Sequence, residues 1–140
     1  MKVVLDTNVI ISGLLHPSSV PAQILKLIQS QEIQAAMSPQ TQAELARVLS
    51  YPKIQKVLEL TAEEANQLVG QITYNCQLVQ PTISVSAVAE DEADNRYLEV
   101  AVSAEARYLV TGDQHLLKLE RYQGMEIVSP ATFLATVSAY

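Results

Sequence analysis

Cysteine occurs once, at position 76, so the chain can close no internal disulfide and cannot build a thiolate metal centre alone. Histidine is nearly as scarce, with only His16 and His115, which leaves little for an imidazole cluster. Tryptophan is absent and aromatics make up 5% of a chain that is 49% hydrophobic, so the core must be built from Val, Ile, Leu and Ala. Such a composition suits a parallel sheet covered by helices. No apolar run approaches the ~18 residues of a membrane span. Met1-Lys2 leads straight into a strand pattern rather than a secretory signal. The expectation is a soluble, cytoplasmic protein with no membrane partner. Positive charge is also short: 9 Lys and Arg against 15 Asp and Glu give a net charge of −6. That balance argues against a basic surface that grips nucleic acid by phosphate contacts alone. A nucleic-acid function would need bound cations that reverse the local sign, or a partner that supplies positive charge.

What is present reads as alternating strands and helices within one domain over residues 1–140. Lys2 to Leu5 is a short β-branched, apolar run ending at Asp6-Thr7-Asn8, as expected of a buried strand with polar residues at its carboxyl end. After a Gly/Pro/Ser stretch, Val20 to Gln31 carries Ile24, Leu27 and Ile28 at helical spacing. Ile33 to Met37 reads as a second strand, and Ser38-Pro39 as the cap and first residue of a helix that Tyr51-Pro52 stops. Thr61 to Glu64 has the form of a capping box for a helix reaching about Tyr74, and Leu78 to Val88 reads as extended. The acidic run Glu90 to Asp94 opens a helix over Asn95 to Ala106, and Tyr108 to Thr111 is a strand ending at Gly112-Asp113. A short helix, a strand at Glu126 to Val128 and a Pro-initiated helix follow. The alternation predicts an α/β fold with a parallel, twisted sheet flanked by helices on both faces. Ligands of such a sheet bind at the carboxyl ends of its strands.

Two strands therefore deliver aspartates, Asp6 and Asp113, to the same edge. Each alone reads more simply as a turn former or helix cap. Together they are a candidate site. Asp94 falls in line with Tyr97, Leu98 and Ala101 at i, i+3, i+4, i+7, which turns its carboxylate toward the core, although capping by Asp91 would equally place it as a first-turn acid. Asp91 and Glu92 are then expected to point toward solvent. Glu44 lies at the flank of the Leu45, Val48, Leu49 stripe, where a solvated glutamate paired with Arg47 is the plainer reading. Carboxylates without His or Cys clusters favour hard cations, Mg²⁺ or Mn²⁺, over zinc. Acids gathered at one end of a sheet read as phosphoryl-transfer chemistry without choosing hydrolysis over metal binding alone.

Val-Val-Leu-Asp-Thr-Asn-Val at 3–9, the segment from Asp91 to Leu98, and Val-Thr-Gly-Asp at 110–113 closely resemble the PIN-domain nucleases. The likeness runs on through Ile127-Val128-Ser129-Pro130 and Phe133-Leu134 and so covers nearly the whole chain. It implies a Rossmann-like three-layer α/β/α fold, an acidic pocket for Mg²⁺ or Mn²⁺, and endonucleolytic cleavage of single-stranded RNA; hydrolysis by metal-activated water would leave a 5′-phosphate and a 3′-hydroxyl. It carries the family's acids onto Asp6, Glu44, Asp94 and Asp113, with Asn8 and Thr111 as polar supports around them. Gln114-His115 stand where related sequences often continue with a second aspartate. His115 is read as a surface or cap residue, and His16 as structural or solvent-facing. Many small stand-alone members resemble the toxin halves of bacterial toxin–antitoxin pairs, which implies an antitoxin partner and a homodimer or higher homo-oligomer. Three other classes remain as comparisons. A non-catalytic metal- or RNA-binding module would keep the acids without cutting. A phosphoacceptor receiver domain would need a central-strand acceptor and a strand-end lysine, and a phosphatase an Asp-x-Asp motif, whose second acid is Asn8 here.

Overall fold

The computed structural model describes residues 1–85 and 92–138, with only the backbone of residues 92 and 93. The elements run β1 (Lys2–Leu5), α1 (Thr7–Leu15), α2 (Val20–Gln29), β2 (Gln34–Met37), α3 (Pro39–Leu49), α4 (Pro52–Leu58), α5 (Ala62–Tyr74), β3 (Cys76–Leu78), α6 (Glu92–Ser103), β4 (Tyr108–Val110), α7 (Gln114–Leu117), β5 (Arg121–Tyr122), β6 (Met125–Val128) and α8 (Pro130–Ser138). The strands form one sheet in the order β3-β2-β1-β4-β6-β5. All neighbours are parallel except β5 and β6. In register, Val3, Val4 and Leu5 of β1 stand beside Tyr108, Leu109 and Val110 of β4.

Strand alternation divides the core in two. Val3, Leu5, Ala35, Met37, Tyr108 and Val110 face helices that contribute Ile10, Ile24, Leu45, Val69 and Phe133. Val4, Ala36, Leu109 and Ile127 face the opposite way, onto Leu98, Val100 and Ala101 of α6 and Leu116 of α7. The result is the expected three-layer α/β/α sandwich. From β1 the chain builds outward through β2 to β3, then returns to the other side of β1 with β4 and β6. The carboxyl ends of β1 and β4 thus flank a topological switch point, where open α/β sheets bind their ligands.

Several local details depart from the sequence reading. Helix α1 occupies a stretch to which the sequence reading assigned no element: Val9, Ile10, Ile11 and Gly13 are all buried, so the segment is apolar nearly all round and has no amphipathic stripe to announce it. Pro52 does end α3, but it also opens α4, where its missing N–H costs nothing. The extended stretch starts earlier than expected: β3 pairs with β2 over Cys76–Leu78, and residues 79–85 carry no strand. Its last residues, 86–88, lie outside the described part, as does Asp91, the expected cap of α6. The capping boxes at Ser38 and Thr61 form as read, each with its third helical residue, Thr41 and Glu64, bonding back. The Glu64 carboxyl is held below its usual range by these bonds to Thr61.

An apolar cavity of about 180 Å³ lies on the α2/α5 side of the sheet, walled by Leu25, Ile28, Leu68 and Ile72 and floored by Leu5, Ala35 and Met37. Cys76 opens onto it, and burial pushes the thiol up to about 11 from 9.0. Among the described residues, no acidic side chain lines this cavity.

Candidate active site

Asp6 ends β1 and is only 4% exposed. Its Oδ1 accepts the Asn8 N–H at 3.0 Å and so caps α1, while its Oδ2 accepts the Thr111 hydroxyl at 2.8 Å. Thr111, fully buried one residue beyond β4, also accepts the Asp113 N–H at 3.0 Å on the same oxygen. One hydroxyl therefore ties together the two strand ends at the switch point. Asp113 in turn caps α7, its Oδ1 accepting the N–H groups of His115 at 2.7 Å and Leu116 at 3.3 Å. Asp6 and Asp113 are thus helix caps and neighbours at one site at once. In both, the capping bond engages Oδ1.

Asp94 is 3% exposed near the start of α6, facing inward as its place in the apolar stripe predicts. Tyr97, one turn later on that face, is 2% exposed, yet its hydroxyl leaves the core for the site. It lies 2.6 Å from Glu44 Oε2 and 2.9 Å from Thr7 Oγ1, and it accepts the Thr7 N–H at 3.2 Å. Burial, the negative charge of Asp6 and the bond to Glu44 all push the phenol well above its ordinary range, so it remains a donor at neutral pH. Glu44, half-buried on α3, is thereby drawn toward the amino end of α1, and no ion pair joins it to Arg47 among the described residues. The bland surface reading of Glu44 does not describe its surroundings.

Sequence reasoning missed Tyr97 and Thr7 as part of this arrangement. Tyr97 had been assigned to the core stripe, where its ring does sit. The available signal was its hydroxyl, since a buried tyrosine needs a polar partner. Asn8 supplies its backbone N–H to Asp6, while its side chain is exposed. His16 and His115 are exposed as expected.

Four carboxylates, Asp6, Glu44, Asp94 and Asp113, supply hard oxygen donors of the type Mg²⁺ and Mn²⁺ prefer. Their chemistry fits such an ion, but their grouping does not: among the described residues no three acid, His or Cys side chains stand close enough to hold one. No helix among the described residues is long and apolar enough to cross a membrane.

A three-layer fold with the buried Asp6 and the neighbouring Asp113 at the switch point of its sheet defines a class of α/β domains built to act at that edge. The PIN domain family matches residues 2–115, and the chain belongs to that family. It is similar to the uncharacterized protein MJ1680 of Methanocaldococcus jannaschii, with 32% identity over 119 residues that cover 85% of this chain and 75% of that protein. Among solved structures it shares its fold with PAE2754 from Pyrobaculum aerophilum, at a TM-score of 0.64 and 20% identity over 100% of this chain and 91% of that one. It likewise shares it with VapBC2 from Rickettsia felis, solved bound to a DNA fragment from their promoter, at a TM-score of 0.63 and 15% identity over 92% and 98%. PIN domains are generally nucleases.

Proposed function

We propose that the protein is a divalent-cation-dependent endoribonuclease that hydrolyses single-stranded RNA in the cytoplasm, and that it is the toxin of a toxin–antitoxin pair. The observation that carries this reading is the Thr111 hydroxyl joining Asp6 to the Asp113 backbone at the switch point. Asp6, Asp94 and Asp113 are the groups proposed to hold Mg²⁺ or Mn²⁺, with Glu44 completing the site or orienting the attacking water; in the arrangement described no three of them stand close enough, so their side chains would have to draw together around the ion. When bound, the ion supplies an acidified water and neutralises charge on the phosphate. The chain's own part is to orient: Thr111 and the Asn8 N–H fix both oxygens of Asp6, α7's amide groups fix Asp113, and the Tyr97 hydroxyl fixes Glu44. The products expected are a 5′-phosphate and a 3′-hydroxyl. The proposed assembly is a homodimer whose antitoxin brings basic residues to the acidic edge. Exposed Tyr74, Val57 and Leu78 supply apolar surface for such contacts.

A second reading, a PIN-like module that binds RNA or a protein partner without cutting, draws on the absence of a three-acid metal cluster among the described residues. A mixed RNA pool incubated with Mn²⁺ and the native protein or Asp6→Asn, followed by end mapping, separates the two. The nuclease reading expects shortened RNA with 5′-phosphates from the native protein and at least a hundredfold slower cutting by the variant. Intact RNA retained by the native protein supports the binding module instead, and full cleavage in excess EDTA sinks the cation dependence.

A further inference from the structure

Three elements distant in sequence meet at one oxygen, the phenolic Oη of Tyr97: the ring comes from α6, Glu44 from α3 and Thr7 from the first turn of α1. The hydroxyl has one proton to give. At 2.6 Å, the Glu44 carboxylate takes it, and the Thr7 N–H and hydroxyl then donate to the lone pairs. All its hydrogen-bonding capacity is used. For Glu44, this is the sole hydrogen bond made by the side chain among the described residues. The rest of α3 is fixed independently, by the Ser38–Thr41 box and by the buried Leu45 and Leu49, but none of these contacts settles where a flexible carboxylate on the stripe's flank should point. Tyr97 itself is anchored in the core and has no such freedom.

We propose that Tyr97 is a positioning residue of the site: its hydroxyl aims Glu44 at the switch point and locks it to the residue that follows Asp6. The inference rests on the nuclease reading for its catalytic consequence, but not for its geometry. Tyr97 acts through Glu44 and does not touch the reacting phosphate. Removal of its hydroxyl should therefore matter only while Glu44 is present, and it should lower the rate of cleavage rather than the affinity for RNA.

The test is a double-mutant cycle of Tyr97→Phe and Glu44→Gln, measured as kcat and KM on single-stranded RNA with Mn²⁺, alongside a crystal structure of Tyr97→Phe. The expected results are a kcat at least tenfold lower for Tyr97→Phe with KM within about threefold, and a double variant no slower than Glu44→Gln alone. Wild-type cleavage by Tyr97→Phe, or losses that multiply in the double variant, overturn the proposal. Should Tyr97→Phe lose its fold, Glu44→Asp serves instead, because it keeps the charge and the ring but withdraws the carboxylate from the hydroxyl. The proposal expects at least a tenfold loss there too, and a wild-type rate overturns it. If the native protein leaves RNA intact, the nuclease reading falls and the structure alone decides: Glu44 turned away from Thr7 in Tyr97→Phe upholds the positioning role, and Glu44 unmoved refutes it.

Discussion

Thr111 has no exposed surface and serves two neighbours with one oxygen, donating to Asp6 and accepting from Asp113. Thr111→Val keeps the shape and removes both bonds, which leaves a buried carboxylate oxygen and a backbone N–H to find new partners. The expected cost is about 1–3 kcal/mol, read as a lower midpoint in urea denaturation with an unchanged slope. Cys76 gives a second residue-scale prediction. Its native thiol titrates at about 11 against 9.0 for a free one, so near neutral pH its thiolate is about a hundredfold scarcer and iodoacetamide should label the folded protein correspondingly slowly. The raised native value favours the neutral thiol. Its share of stability is therefore fully present below pH 9 and is lost as pH climbs from 9.0 towards 11, which the difference in urea midpoint between wild-type and Cys76→Ala should track. At this scale the acids were legible in sequence because each sits at a place with a rule: a strand end or an apolar stripe. Tyr97 was not, because periodicity reports which way a side chain leaves the backbone and says nothing about where a hydroxyl at the far end of the ring will end.

Among the elements, α1 shows most plainly why local pattern failed. Its sequence carries no contrast between faces, since α2 covers one side and α3 and α4 also pack against it. The signature of that close fit is Gly13, where an added Cβ would stand 3.0 Å from the Pro21 carbonyl carbon and 3.1 Å from the Ala22 nitrogen. Those are backbone atoms that cannot rotate away. Gly13→Val should lose about 1–3 kcal/mol through overpacking at this crossing, seen in thermal unfolding as a lower midpoint. The end of α3 and α4 carry a different property. Residues 45–58 include Arg47, Lys53 and Lys56 with no acid among them, and Arg47, Lys53, Lys56 and Tyr51 are all exposed. Cations beside an exposed aromatic suit a single strand of nucleic acid, held by its phosphates and one stacked base. If RNA follows this edge toward Glu44, Lys53→Glu with Lys56→Glu should raise KM several-fold at low salt with little change in kcat, and the difference should shrink as salt rises. Equal KM values at low salt would place the strand elsewhere.

For the whole molecule, the alternation of strands and helices was enough to predict three layers and a parallel sheet, and the chain's place among PIN domains follows from the same residues. The order of strands was not readable, because nothing local in β4 says that it returns beside β1 rather than extending from β3. That return joins residues 105 positions apart, Asp6 and Thr111, and others 90 apart, Thr7 and Tyr97. Contacts of such span close only after much of the chain has found its place. During synthesis, domains take shape from the amino end, and the first strand is available early. Its aspartate nevertheless waits for a neighbour encoded more than a hundred residues downstream. A half-made chain on the ribosome therefore carries the first acid without its buried hydroxyl partner. On the proposed nuclease reading, any hazard to the cell's own messages would begin only once the segment around Thr111 has been made.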